Sequence, residues 1–243
     1  MPAVLVHGVP DTHRLWNPLR SHLRRSDVVA VSLPGFDRPV SSGFAADKEA
    51  YVGWLISEIE LLGEPVDLVG HDWGSLLVQR AVSLRPDLIR TWACGDGPVD
   101  VDYVWHDLAQ QWQTPGVGEQ VMEALTPEAL ATGLPAAGIP PDVAREMSRH
   151  VDETMKDCIL KLYRSAVNVG REWQADVEKV TRPALILWSK DDPYVPPVFA
   201  ERLAARVHGR LVLFDGCGHW WPLERPAEAA AELESFWKME GRA

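Results

Sequence analysis

One short stretch constrains this chain more than any other. Pro65-Val66-Asp67-Leu68-Val69 is a compact apolar run, Gly70-His71-Asp72-Trp73-Gly74 follows at once, and Ser75-Leu76-Leu77-Val78-Gln79-Arg80-Ala81-Val82 continues with helical spacing. A buried strand that turns sharply into a helix, with glycine two residues before and two after the central position, is an elbow that lifts one side chain above a sheet. The glycines accept close backbone approach and dihedrals that other residues resist. The central residue is Asp72, whereas Ser75 lies three positions further on and outside the elbow. An Asp at a helix start is also a favoured N-cap, so its use has to be read from the rest of the chain.

Around the elbow, strand and helix patterns alternate. Ala3-Val4-Leu5-Val6 reads as a strand running into His7-Gly8-Val9-Pro10. A helical stretch with Trp16, Leu19 and Leu23 on one face follows, then a strand from Asp27 to Leu33 and a loop at Pro34-Gly35-Phe36-Asp37-Arg38-Pro39. Residues 46–62 make an amphipathic helix through Tyr51, Leu55, Ile59 and Leu62, and Ile89 to Cys94 is the strand after the elbow helix. From about Gly97 to Asp176 the alternation stops. Helical patterns there are broken by Pro115, Pro127, Pro135, Pro140 and Pro141, with no convincing buried strand. The alternation resumes with strands at Pro183 to Trp188 and Arg210 to Phe214, a helix over 197–207 between them, and a last helix from about Pro226 to Lys238. Alternating strands and helices imply a mostly parallel sheet covered on both faces. The expected organisation is an α/β core of 1–96 and 177–243, with 97–176 inserted as a helical cap over the carboxyl edge of the sheet.

Composition narrows the partners. A net charge of −11 argues against nucleic acid and anionic membranes. No basic-then-apolar leader and no long apolar run is present, and Cys94, Cys158 and Cys217 lack metal-ligand spacing, so a reduced, cytoplasmic setting is expected. Eleven tryptophans suggest an aromatic-lined cavity besides the core.

Acid/base residues stand at the ends of the strands, where open α/β sheets gather ligands. In chain order they are Asp72, Asp192 and His219. Together with His7-Gly8-Val9-Pro10, with Ser189-Lys190-Asp191-Asp192-Pro193-Tyr194-Val195-Pro196 and with Gly216-Cys217-Gly218-His219-Trp220, the elbow makes the chain resemble the α/β-hydrolase superfamily over essentially its whole length. The likeness is to the branch with an Asp nucleophile, that of epoxide hydrolases and haloalkane dehalogenases. The resemblance implies an α/β-hydrolase fold from which the first two family strands are missing, leaving about six. It also implies that no metal or organic cofactor takes part. It makes Asp72 the nucleophile, His219 the base and Asp192 the acid that orients it, with Asp96 as an alternative acid. The backbone N–H groups of Val9 and Trp73 become the oxyanion hole.

An Asp is already ionised near neutral pH and needs no base to attack a saturated carbon. The base is needed second, to draw a proton from the water that hydrolyses the ester. Within the branch, Val9 stands where many dehalogenases place a halide-binding Asn. Trp112-Gln113-Thr114-Pro115-Gly116-Val117-Gly118-Glu119 looks like the cap segment of epoxide hydrolases, and Tyr163 falls near their second ring-opening tyrosine. The first tyrosine would fall at Leu108, which cannot donate. Trp105, Trp112, Tyr103 and His106 are the alternative donors or pocket residues. The expectation is therefore an epoxide hydrolase acting on a small apolar epoxide and water. The alternatives are a haloalkane dehalogenase using the same Asp72 ester and a catalytically silent ligand-binding protein of the same fold. The strand from Asp27 to Leu33 is expected at an exposed sheet edge, which calls for a second copy or a covering segment.

Overall fold

A computed structural model describes residues 1–241. Its centre is a six-stranded, all-parallel sheet. The strands are β1 (Ala3–Val6), β2 (Val28–Val31), β3 (Val66–His71), β4 (Ile89–Gly95), β5 (Ala184–Ser189) and β6 (Arg210–Phe214), in the spatial order β2-β1-β3-β4-β5-β6. The sequence of β3 explains its central place. All six of its residues are buried, as a strand covered on both faces requires. β2 is one edge and β6 the other, and the exposed or half-buried Val28, Val29 and Ala30 match that position.

Helices α1 (Asn17–His22), α2 (Lys48–Glu60) and α3 (Trp73–Leu84) follow the first strands in turn. Between β4 and β5 lie six further helices and no strand: α4 (Asp107–Gln113), α5 (Val117–Ala124), α6 (Pro127–Gly133), α7 (Pro141–Ser148), α8 (Glu153–Ser165) and α9 (Val169–Val177). The prolines that interrupt this stretch start its elements rather than merely ending them. Pro127 and Pro141 occupy first helical positions, where a missing N–H costs nothing. After β5 come α10 (Val198–Val207), α11 (Trp221–Glu224) and α12 (Pro226–Glu240). Two apolar clusters cover the sheet. One joins α2, α3 and α8 to its first face, and the other joins Trp16, Trp221, Leu233 and Phe236 to the opposite face.

Because every strand runs the same way, all their carboxyl ends open on one side. The loops after β1, β3, β4, β5 and β6 therefore meet there, and they carry His7 to Val9, Asp72, Asp96, Asp192 and His219. No helix among the described residues is long and apolar enough to cross a membrane.

Candidate active site

The elbow has the backbone its glycines forecast. Asp72 sits at φ 53, ψ −123, a left-handed conformation that a non-glycine residue holds only when its surroundings impose it. The surroundings are tight. A Cβ on Gly74 would stand 2.0 Å from the Val6 carbonyl oxygen, and one on Gly8 would stand 2.0 Å from Asp72 Oδ1. Asp72 N–H donates to Gly95 O at 3.0 Å, and Asp72 O accepts from Ser75 N–H at 2.9 Å. Ser75 itself points away, its hydroxyl donating to Gly97 O at 2.8 Å, so the serine has no access to a substrate.

The two oxygens of Asp72 face different partners. Oδ1 accepts from Val9 N–H at 2.7 Å, while Oδ2 lies 3.6 Å from His219 Nε2. Trp73 N–H makes no hydrogen bond to the carboxylate. His219 Nδ1 is 2.7 Å from Asp192 Oδ2, and Asp192 Oδ1 accepts from the N–H groups of Tyr194 (2.7 Å) and Val195 (3.1 Å). All four lone-pair directions of a buried carboxylate are expensive to leave bare, and these two backbone donors satisfy the oxygen that His219 does not use. Asp96 is placed otherwise. Its Oδ1 accepts from Ser189 N–H at 2.9 Å and its Oδ2 from Ser189 Oγ at 2.6 Å, with His71 Nε2 3.9 Å away. Of the two acids, Asp192 is the one hydrogen-bonded to His219.

Two further histidines hold the frame. Burial pushes both His7 and His71 down to about 4, so both are neutral. His7 Nε2 then accepts from Leu33 N–H at 3.0 Å while Nδ1–H donates to Gly8 O at 2.7 Å. His71 Nε2–H donates to His219 O at 2.8 Å, fixing the backbone of the histidine loop.

The charges are arranged for a resting ion pair. Burial works against ionised Asp72, yet the hydrogen bond and charge of His219, with His71 and the Val9 N–H, hold its carboxyl below the ordinary range. Burial likewise opposes the His219 imidazolium, but Asp192 and Asp72 on its two nitrogens carry it well above the ordinary histidine range. Asp96 goes the other way. Burial, reinforced by the charge of Asp192, lifts it well above a normal carboxylate. His71, Asp96 and His219 are the one set among the described residues whose donor atoms converge closely enough for a metal ion, all within 4.8 Å of one another. Their imidazoles already have hydrogen-bond partners in His219 O and Asp192.

Above Asp72 lies a cavity of about 130 Å³ shared by the core and the inserted helices. Its walls are chiefly aromatic and leucine. Tyr163 stands edge-on to Trp73, Trp105 and Trp112, with ring centroids 5.3, 5.3 and 4.8 Å away, and burial and the Asp72 charge raise its hydroxyl well above the ordinary phenol. The other donors suggested by the sequence divide into two groups. Trp105 Nε1–H is spent on Ala166 O, the Tyr103 hydroxyl reaches Tyr194 O at 3.4 Å, and His106 Nδ1 caps α4 by accepting from Ala109 N–H. All three line the cavity; Trp105 and Tyr103 spend their donors elsewhere, whereas His106 is engaged only through Nδ1. By contrast, the buried Nε1–H of Trp112 has no partner among the described residues, and that of Trp73, also without a hydrogen bond of full geometry, lies beside the Tyr163 hydroxyl. Leu108 lines the cavity and is 37% exposed, which puts it at the rim. A buried carboxyl that the sequence did not single out, Asp11, lies behind the histidine loop. Its only signal was its place directly after Val9-Pro10.

Comparison with known proteins agrees with this frame. The family model described as "Alpha/beta hydrolase family" matches residues 3–233. A curated relative, probable oxidoreductase EphD of Mycobacterium tuberculosis, is 27% identical over 96% of this chain, which spans 45% of that protein's length. Epoxide hydrolase 3 of Mus musculus is 25% identical over 96% of this chain and 69% of its own. Among solved structures, an ancestral haloalkane dehalogenase superposes with a TM-score of 0.82 at 21% identity, covering 100% of this chain and 93% of that one. The chain belongs to the alpha/beta hydrolase family, with epoxide hydrolases among its curated relatives and the fold of a haloalkane dehalogenase among its structural matches.

Proposed function

We propose that this protein is an epoxide hydrolase that works through an ester on Asp72. The observation that carries the reading is the division of labour on one carboxylate. Oδ1 rests on the Val9 N–H, leaving Oδ2 free beside His219 as the attacking atom. Oδ2 forms a bond to an epoxide carbon, the ring C–O bond breaks, and its electron pair goes to the ring oxygen. Tyr163 hydrogen-bonds that oxygen as the alkoxide develops, aided by the unpartnered indole N–H of Trp73 or Trp112. Esterification removes the charge of Asp72, so His219 loses one of the two anions that held its proton. The proton it sheds balances the one gained by the alkoxide.

His219, oriented by Asp192, then takes a proton from water through Nε2, and the hydroxide adds to the ester carbonyl. The oxyanion forms at Oδ1, against Val9 N–H and with Trp73 N–H drawn in. The acyl C–O bond breaks, the diol leaves with the proton from His219, and Asp72 returns its own proton to restore the ion pair. No metal or cofactor enters the scheme. The inserted helices act as a cap that keeps bulk water from the ester, and the cavity suits a small apolar epoxide. An apolar cavity of this order holds a single benzene-sized ring.

The test is intact mass. His219→Gln incubated with cyclohexene oxide should gain the mass of the epoxide, and no adduct with any epoxide or alkyl halide defeats the covalent reading. A second reading, haloalkane dehalogenase, is favoured by one observation. The two unpartnered indole N–H groups are the donors a departing halide would need. Tyr163→Phe separates the two, since only epoxide opening uses its hydroxyl. The three cysteines are free and buried, in keeping with a cytoplasmic protein. The edge strand β2, with Val29 40% exposed, is where a homodimer would form. A monomer by light scattering at micromolar concentration would remove that expectation.

A further inference from the structure

The scheme above leaves one buried carboxyl without a task. Asp11 is 1% exposed. Its Oδ2 accepts from Trp220 Nε1–H at 3.2 Å, and its Oδ1 has no partner. On the far side of that hydrogen bond, the Trp220 ring stands edge-on to His219, with centroids 4.9 Å apart and planes at 88°. Trp220 lines the main cavity, whereas Asp11 lines a second pocket between the core and α7. One indole therefore separates a carboxyl from the imidazole. A tie for Trp220 alone would need only one acceptor, and a carboxyl with a bare buried oxygen is a costly way to supply it.

We propose that Asp11 is a positioning residue for the hydrolytic half-reaction: it fixes the Trp220 indole against His219 and sets a negative charge behind the imidazolium that forms when water is deprotonated. The inference rests on the Asp72 ester reading. The groups facing Asp11 are Asp72 and His219 on the cavity side and, across the second pocket, Arg14, Asp142, Glu146 and His150. Burial first and the charge of Asp72 second push the Asp11 carboxyl up to about 7, against the Trp220 hydrogen bond and His219. Esterification neutralises Asp72 and removes the second of these causes, while the opposing His219 charge is lost in the same step and returns when water is deprotonated. Asp11 then releases its proton toward the second pocket at the stage when His219 gains one from water. When Asp72 is freed as a carboxylate, Asp11 takes a proton back. Its charge thus alternates with that of the nucleophile.

The test separates the two half-reactions. Ester formation and ester decay are followed by rapid quench and intact mass from pH 5.5 to 9, in wild type, Asp11→Asn and Asp11→Glu. Asn keeps an acceptor for the Trp220 indole but carries no charge. Asp11→Asn should form the ester within about threefold of the wild-type rate and hydrolyse it about tenfold more slowly, the scale of a one-unit charge interaction. Its decay rate should lose the pH step that wild type shows below pH 7, and Asp11→Glu should restore that step. Wild-type decay rates and pH profile in Asp11→Asn would overturn the proposal, as would an equal fall in both half-reactions. Should Asp11→Asn fail to fold, the Asp11 carboxyl can be titrated by ¹³C NMR in His219→Gln before and after the ester is trapped. Its midpoint must fall on trapping, and an unchanged or higher midpoint overturns the proposal. Absence of any trapped ester would instead defeat the underlying reading.

Discussion

The two sides of the cavity are built on different terms. On the core side, Asp72, His219 and Asp192 are wired to one another and to backbone N–H groups, each at the end of a strand whose direction the sheet dictates. On the side of the inserted helices, there are the hydroxyls of Tyr163 and Tyr103, the unpartnered indole N–H of Trp112, and a leucine rim, with the Trp73 indole meeting them from the core. The core side fixes positions through backbone and the inserted side through packing alone. In the proposed scheme the first side carries the ester chemistry, while the leaving group is met by the second. The difference teaches where a substitution should be absolute and where it should discriminate between substrates.

The sharpest way to break this contrast is Asp72→Asn, which removes the attacking oxygen. Turnover of every substrate should fall by at least about 10⁴-fold in steady-state assays, and an Asn variant active on either epoxides or halides would dissolve the distinction between the two sides. His219→Gln should lower turnover by about 10³-fold or more while letting the ester accumulate, since only the second step needs the base. Next comes Asp192→Asn. With the orienting acid gone, decay of the ester should slow by about 10²- to 10⁴-fold, with ester formation much less affected, read by the same quench experiment.

On the inserted side, Tyr163→Phe should cost about 10²-fold with epoxides and under tenfold with alkyl bromides in initial-rate assays. Equal losses would mean that the hydroxyl is packing rather than a donor. The smallest effect is expected at Asp96→Asn. Asp96 is engaged by Ser189 on both oxygens and makes no hydrogen bond to His219, so activity should stay within about threefold. Its raised pKa means the folded state binds this proton more tightly than the unfolded chain does. Stability is then greatest below the unfolded value and declines as pH rises through the folded one. Asp96→Asn should be relieved of that decline, giving a higher Tm than wild type at pH 8 and no gain at pH 4 in a thermal melt.

What could be read from the chain follows the same divide. The placement of Asp72, Asp192 and His219 at neighbouring strand ends was legible because glycine spacing, proline punctuation and strand ends are backbone requirements, and these leave marks in sequence. β6 falls on Arg210–Phe214 as its apolar run implies, and the long stretch without strands lies between β4 and β5. Helix ends were less legible. The elbow helix begins at Trp73 rather than Ser75 because Asp72 itself occupies the N-cap. The choice between Asp192 and Asp96 was not settled by spacing, since both follow strands that neighbour one another in the sheet. Ser189 decides it by engaging both oxygens of Asp96. Nor could spacing tell that Trp105 is spent on Ala166 while Trp112 is not, because that depends on how helices cross. Asp11 had no signature beyond its place after Val9-Pro10: a buried carboxyl and an exposed one look alike in a sequence.

The place of Asp72 at the first turn of α3 has one more consequence. A helix of this length presents roughly half a positive charge at its N-terminus. That field favours the carboxylate over any neutral form of the same group, and an ester is such a form. In the proposed scheme, the helix that presents Asp72 for attack would therefore also bias the return stroke, since it makes the occupied state the less comfortable one. Seen this way, the elbow guards against an enzyme that stops halfway, and it does so in the backbone, beyond the reach of any change in the helices above it.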